Sequence, residues 1–228
     1  MNPAINVMKM HFKEKWSWFF APWIILLSSF LINLFVGYLT SGDEPIYTGG
    51  LCSIFAYMLV LGIVTLTHMF HFAIGLSVRR NDFYLGTSGM FFVVSAGIAV
   101  LLLLFAFFET TSGGWGVQLH FFHLPYLNDG SLIEQFLLYF VAMLNMFFLG
   151  FMVSSIYQRF GQYGLFVFFG ALLVLFSCGT FLCTYYGWWM DVFHWIGQHT
   201  AFGLSMWTLP FLVIYIIVSY LFIRRTTV

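Results

Sequence analysis

Six apolar runs divide this chain, at about residues 18–39, 51–74, 84–108, 133–157, 165–184 and 207–223, and none carries a Lys, Arg, Asp or Glu near its middle. Such runs leave few folds open. About 20 residues at 1.5 Å each cross a hydrocarbon core ~30 Å thick, so each run is long enough to span a membrane as a helix. Only 7% of the 228 residues are charged. A soluble domain carries roughly a quarter, so this chain lacks the charges to cover a water-facing surface. The expectation is an all-α integral membrane protein with six transmembrane helices. The first run is too long for a cleaved signal peptide, and no small-residue cleavage site follows it.

The charges orient the spans. Lys9, Lys13 and Lys15 precede the first run, Arg79 and Arg80 lie between the second and third, Arg159 between the fourth and fifth, and Arg224 and Arg225 after the sixth. These eight are all the basic residues, and six spans put every one on the same side. The positive-inside bias therefore places both termini in the cytoplasm. Asp43, Glu44, Glu109, Asp129, Glu134 and Asp191 fall on the opposite side. Adding or removing one helix would scramble this split.

An interior without ionisable groups argues against an ion-coupled pump working alone, since such pumps carry intramembrane carboxylates or basic groups. The polar exceptions are Asn33, Asn145 and the pair His68 and His71. Asn145 is expected to hydrogen-bond between helices. His68 and His71, one turn apart, are expected to do the same. Cys52, Cys178 and Cys183 have no metal-ligand or redox spacing. Packing in the fifth run is the expected role of Cys178 and Cys183, and a Cys52–Cys183 disulfide stays open.

Residues 1–17 read as a separate interfacial helix ahead of a transmembrane domain at 18–228. On a helix, Ile5, Met8, Phe12 and Trp16 share one stripe while Lys9 and Lys13 face away, the pattern of a helix lying flat among headgroups. The loop 110–131 is rich in glycine and aromatics. The stretch 185–206 holds three tryptophans and two histidines, too polar for a span and too apolar for a free loop. It is expected to dip into or lie along the outer leaflet. His120, His123, His194 and His199 lie on that side at HxxH and HxxxxH spacings, without cysteine or carboxylate partners. No metal site is assigned to them.

The string Gly86-Thr87-Ser88-Gly89 matches the GxSG serine motif of intramembrane rhomboid proteases. A serine nucleophile needs a base within hydrogen-bond reach. Ser88 falls on the basic side of the third helix, His194 and His199 fall on the other, and only His68 and His71 are near. Small residues at a helix start also serve close packing. Ser88 is read as a packing residue, and no catalytic residue is assigned. Just before it, Arg79 and Arg80 stand on a short cytoplasmic connection, with Asn81 and Asp82 placed to cap the next helix. A compact charged corner suits docking to another protein, and arginines also anchor helix ends at headgroups. Spacing does not separate these.

The stretch HFAIGLSVRRNDFYLGTS (71–88), with the architecture around it, resembles the membrane (permease) subunits of ABC-2 type bacterial ABC transporters. The architecture covers the whole chain and the local motif 18 residues. The resemblance implies an N-terminal interfacial helix, six spans with both termini cytoplasmic, and partly re-entrant outer helices before the last span. It implies a multi-pass protein of the bacterial plasma membrane. It implies that Ser77, Val78, Arg79, Arg80, Asn81, Asp82 and Phe83 couple to a cytoplasmic ABC ATPase subunit, where ATP and Mg would bind. A second permease, as homodimer or sister subunit, is implied as well. The chain has no GxxxxGK(S/T) phosphate loop, so it is expected to bind no nucleotide and to act as a transport subunit rather than an enzyme. No nucleic-acid partner is expected. The apolar interior points to export of an amphipathic or apolar substrate such as a peptide, a lipid or an antibiotic. The alternatives are a haem- or metal-handling membrane protein using the outer histidines, and a non-transporting immunity or scaffold protein.

Overall fold

The computed structural model describes residues 3–40 and 45–226, so Asp43 and Glu44 lie outside the described residues. The fold is all-α, and among the described residues five continuous helices are long and apolar enough to cross a membrane. Helix α1 (Pro3–Lys13) ends before Glu14, whose carboxylate accepts from the Ser17 hydroxyl at 3.1 Å across the break. A π-helical turn, Trp16–Phe20, then leads into α2 (Ala21–Thr40). Trp16 therefore begins the first long helix instead of extending the interfacial stripe, because the chain leaves helical geometry at Glu14.

Helix α3 (Cys52–Val64) passes through a second π-helical turn, Thr65–Met69, into α4 (Phe70–Gly75). The wide turn buries Thr65 and Leu66 and brings the Thr67 hydroxyl 3.2 Å from that of Ser154. His68 and His71 are left exposed without the expected interhelical hydrogen bonds. Helix α5 (Arg80–Thr111) follows, then a glycine-rich loop, then α6 (Leu132–Tyr186). Short helices α7 (Trp189–Gln198) and α8 (Ala201–Trp207) lead to α9 (Leu209–Arg225). Two residue pairs, β1 (Ile46–Tyr47) and β2 (Leu119–His120), join in parallel.

The tightest packing is where α3 crosses α6. A Cβ on Gly62 would overlap the Phe147 carbonyl oxygen, and one on Gly150 would overlap that of Leu59. The two backbones touch at reciprocal glycines, the small-residue contact by which helices associate without help from water. Around it Phe91 stacks on Phe147 at 3.6 Å, with Phe148 and Phe151 completing a buried aromatic cluster. Asn145 Nδ2 donates to Thr208 Oγ1 at 2.9 Å, the interhelical bond expected of it. Asn33 instead donates to Ser29 O within its own helix.

The runs expected at 133–157 and 165–184 both fall on α6, whose 55 residues are interrupted at Gly161 (φ 66°, ψ −162°). Leu149 and Phe176 line one groove with α9. On a straight helix they would stand about 40 Å apart at 1.5 Å per residue. The chain therefore folds back at Gly161, in a conformation few residues other than glycine adopt. Beyond the groove the far half is open: every residue from Leu173 to Leu182 is exposed, and α7 buries none. Cys178 is accordingly exposed rather than packed, since no helix among the described residues covers it. All three cysteines are free, so Cys52 and Cys183 form no disulfide.

Candidate functional site

The basic residues converge at one end of the bundle. Arg80 Nη1 donates to Arg224 O at 3.3 Å. The Arg159 guanidinium lies over Phe160 and over Phe222, one turn from the end of α9. Helix α1 with its lysines packs on the first turns of α5, where Gly86 admits it: a Cβ there would sit 2.7 Å from Val7 Cβ.

The corner between α4 and α5 is the four residues Leu76–Arg79, and its own backbone satisfies the end of α4. Ser77 N donates to Ile74 O at 2.8 Å and Val78 N to Ala73 O at 3.1 Å. Ser77 adopts φ 60°, a left-handed conformation usual for glycine at such a helix end. Arg79 (φ −67°, ψ 142°) takes the cap position with no side-chain hydrogen bond. Asn81 and Asp82 therefore do not cap the helix as expected: it starts before them, and both lie in its first turn. There the Asp82 carboxylate still favours the positive end of the helix dipole. Val78 packs against the core and Phe83 is fully buried, edge-on to Phe70 at 5.4 Å. Ser77, Arg79 and Asn81 are exposed and Arg80 is half-buried. The seven residues thus form a small outward face on a fixed base.

Helix α1 is apolar on two sides. Val7 and His11 are buried on α5 and Met8 packs over Gly89, while Ile5 and Phe12 are exposed, Phe12 stacking on Phe19 at 5.7 Å. Of the stripe read from the sequence, Ile5 and Phe12 mark the outward side, whereas Met8 turns toward α5. The docked side was missed, although Ala4, Val7 and His11 at helical spacing opposite Gly86 and Gly89 carry its signal.

His11 answers what the GxSG string does. Its Nε2 lies 2.9 Å from Thr87 Oγ1, and its ring is 4.9 Å from that of Trp18. The histidine that reaches this string thus pairs with Thr87, not Ser88, in a buried contact without a carboxylate. Burial pushes the His11 imidazole down from 6.5 to about 4. An undocked α1 takes up its proton from about pH 6.5 downward, whereas the docked helix resists until about pH 4. Docking is therefore complete above pH 6.5 and weakens as pH falls toward 4, by about 3 kcal/mol in full. Hydrogen-exchange protection across residues 4–13, corrected for the intrinsic slowing of exchange at lower pH, is expected to be weaker at pH 5 than at pH 7.5, and His11→Gln to abolish that difference. Ser88→Ala is expected to leave folding and activity intact, and its loss of activity with α1 still docked would revive the nucleophile.

The opposite end is organised by a residue that the sequence marked only as an acid on that side. Glu109, at the end of α5, is 0% exposed. Its carboxylate accepts from Phe121 N, Phe122 N and His123 N at 2.9–3.1 Å and from Trp115 Nε1 at 3.0 Å. The chain reaches this nest through left-handed conformations at Gly113, Gly114, Trp115, Gly116 and Gln118. Phe30, Phe105, Phe121 and Phe122 pack below it. Asn128 Oδ1 accepts from Leu124 N and Tyr139 OH, fixing the loop onto α6.

The outer histidines do not meet. His120 stacks on Tyr47 and stands 3.8 Å from Glu109, and His199 Nδ1 bonds Trp195 O at 2.8 Å. His123 enters only through its backbone, and His194 lies on exposed α7. Among the described residues no three of His, Cys, Asp and Glu gather to hold a metal. Comparison of the chain with protein-family models, with curated proteins and with solved structures found no match.

Proposed function

We propose that the chain is the permease subunit of an ATP-driven ABC exporter of the ABC-2 type, crossing the bacterial plasma membrane six times with both termini in the cytoplasm. The fold-back at Gly161 supports the sixth crossing, by dividing α6 into two lengths that each suit a bilayer. One observation carries the functional reading: the short corner Leu76–Arg79 runs into a first stretch of α5 that is anchored to three helices at once. Phe83 fixes it to α4, Arg80 and Tyr84 tie it to α9 through Arg224 O and Ile216 O, and Gly86 and Thr87 hold α1.

A push delivered at Arg79 by a cytoplasmic ATPase would move α5, α1 and α9 together, because no flexible segment intervenes. ATP and Mg would bind that partner and not this chain. A second permease would pair along the outward aromatics of α2, α4 and the far half of α6, such as Phe35, Phe72 and Phe169, and an amphipathic or apolar substrate would pass along that surface. The joint change Arg79→Glu and Arg80→Glu tests this. It is expected to remove ATP-driven transport while leaving the unfolding midpoint within a few degrees of wild type, since Arg79 is an exposed charge and Arg80 gives up one long, solvent-facing hydrogen bond to Arg224 O. Undiminished transport by that variant would exclude the corner from the mechanism.

A further inference from the structure

The fold-back of α6 leaves a groove of about 850 Å³ between its two halves and α9, lined by residues including Leu149, Ile156, Phe168, Phe176, Ile214 and Phe222. That volume is in the range of cavities that enclose a ligand. Its walls are carbon almost throughout, with hydroxyls only on Tyr163 and Tyr215. At the basic end of the bundle the character changes abruptly. The Arg159 guanidinium sits 5.0 Å from the Phe160 ring and 5.1 Å from the Phe222 ring, both of which line the groove. No carboxylate among the described residues pairs with it. Arg224 and Arg225 follow in the last turn of α9.

We propose that this groove holds an acyl chain of an anionic phospholipid, with the headgroup phosphate on Arg159. The charge pattern selects this occupant. A helix of a second copy would meet an unpaired guanidinium at one end of an otherwise apolar contact. A lipid is apolar along its chain and anionic at one end, which matches the groove end for end. Planar guanidinium donors suit phosphate oxygens, and the two rings hold the group in place from its faces. The inference needs only that the chain sits in a bilayer, so it stands or falls independently of an ATPase partner.

The test is native mass spectrometry of the full chain, released from nanodiscs containing equal phosphatidylglycerol and phosphatidylcholine with identical acyl chains. Wild type should retain phosphatidylglycerol in preference. Arg159→Gln should retain roughly tenfold less of it, as expected for losing a charged hydrogen-bonding group. Arg159→Lys should keep much of the preference, and Val218→Trp, which fills the groove but spares the arginine, should lose both lipids. Lys9→Gln should match wild type. Equal retention by Arg159→Gln and wild type, or no preference between the two lipids, would overturn the proposal. So would displacement by inorganic phosphate, which would assign the arginine to a free anion, or a lipid-free dimer, which would assign the groove to a second copy.

Discussion

Gly150→Ala is expected to destabilise the bundle by about 3 kcal/mol or more, and Gly150→Leu to prevent its assembly. The added Cβ would overlap the Leu59 carbonyl oxygen and lie 3.2 Å from Ile63 N, both backbone atoms of α3. A side chain in the way can change rotamer, but a helix backbone in the way must move as a whole. That movement would separate Gly62 from Phe147 and Phe151 on the other side of the same crossing. Gly179→Ala is the control, because a Cβ there meets nothing within 4 Å. In a helix interior it should be neutral or stabilising by up to about 1 kcal/mol. Thermal unfolding of the three proteins in one detergent decides the matter. Equal midpoints for Gly150→Ala and Gly179→Ala would mean that the helices do not cross at these glycines.

Removing the Glu109 carboxylate should have a comparable effect at the other end. Glu109→Ala strands three backbone N–H groups and the Trp115 indole N–H in a site without solvent exposure. Each buried donor left unpaired costs about 1–3 kcal/mol, so the loss is about 4 kcal/mol even where water reaches some of them. The effect is local: the loop 113–123 loses what fixes it. Hydrogen-exchange protection at Phe121, Phe122 and His123 is expected to fall roughly 1000-fold while that at the α3–α6 crossing holds. Glu109→Gln should fall between, since it keeps one acceptor oxygen and introduces an amide donor facing other donors. Unchanged protection in Glu109→Ala would mean that the loop is held by its aromatics alone.

These two sites show where reading the sequence stopped. The apolar runs gave the long helices, because span length is set by the membrane and not by neighbours. The alternation of basic residues anticipated their convergence at one end. Asn145 was identifiable because a polar amide amid apolar residues must find a partner. Gly62 and Gly150 were not, since glycines are frequent in such helices and nothing local says which two will touch. Glu109 looked like any acid at a helix end: its backbone donors lie 12 to 14 residues later, brought back by backbone conformations that no pattern announces. The break at Glu14 takes Trp16 off the stripe of α1, and the π-helical turn at Thr65–Met69 departs from the 3.6-residue period on which the pairing of His68 and His71 was based. At the corner, Arg79 and Arg80 were visible as charges, whereas their anchoring through Phe83, Tyr84 and Arg224 depends on helices distant in sequence.

The coupling of this corner to an ATPase is tested most directly by purification from native membranes, using a tag on the C-terminus of the full chain. The account predicts a stoichiometric ATPase that co-purifies with wild type and is lost when Arg79 and Arg80 are both changed to glutamate. A folded protein purified without any ATPase, or an ATPase retained equally by the charge-reversed variant, would contradict it.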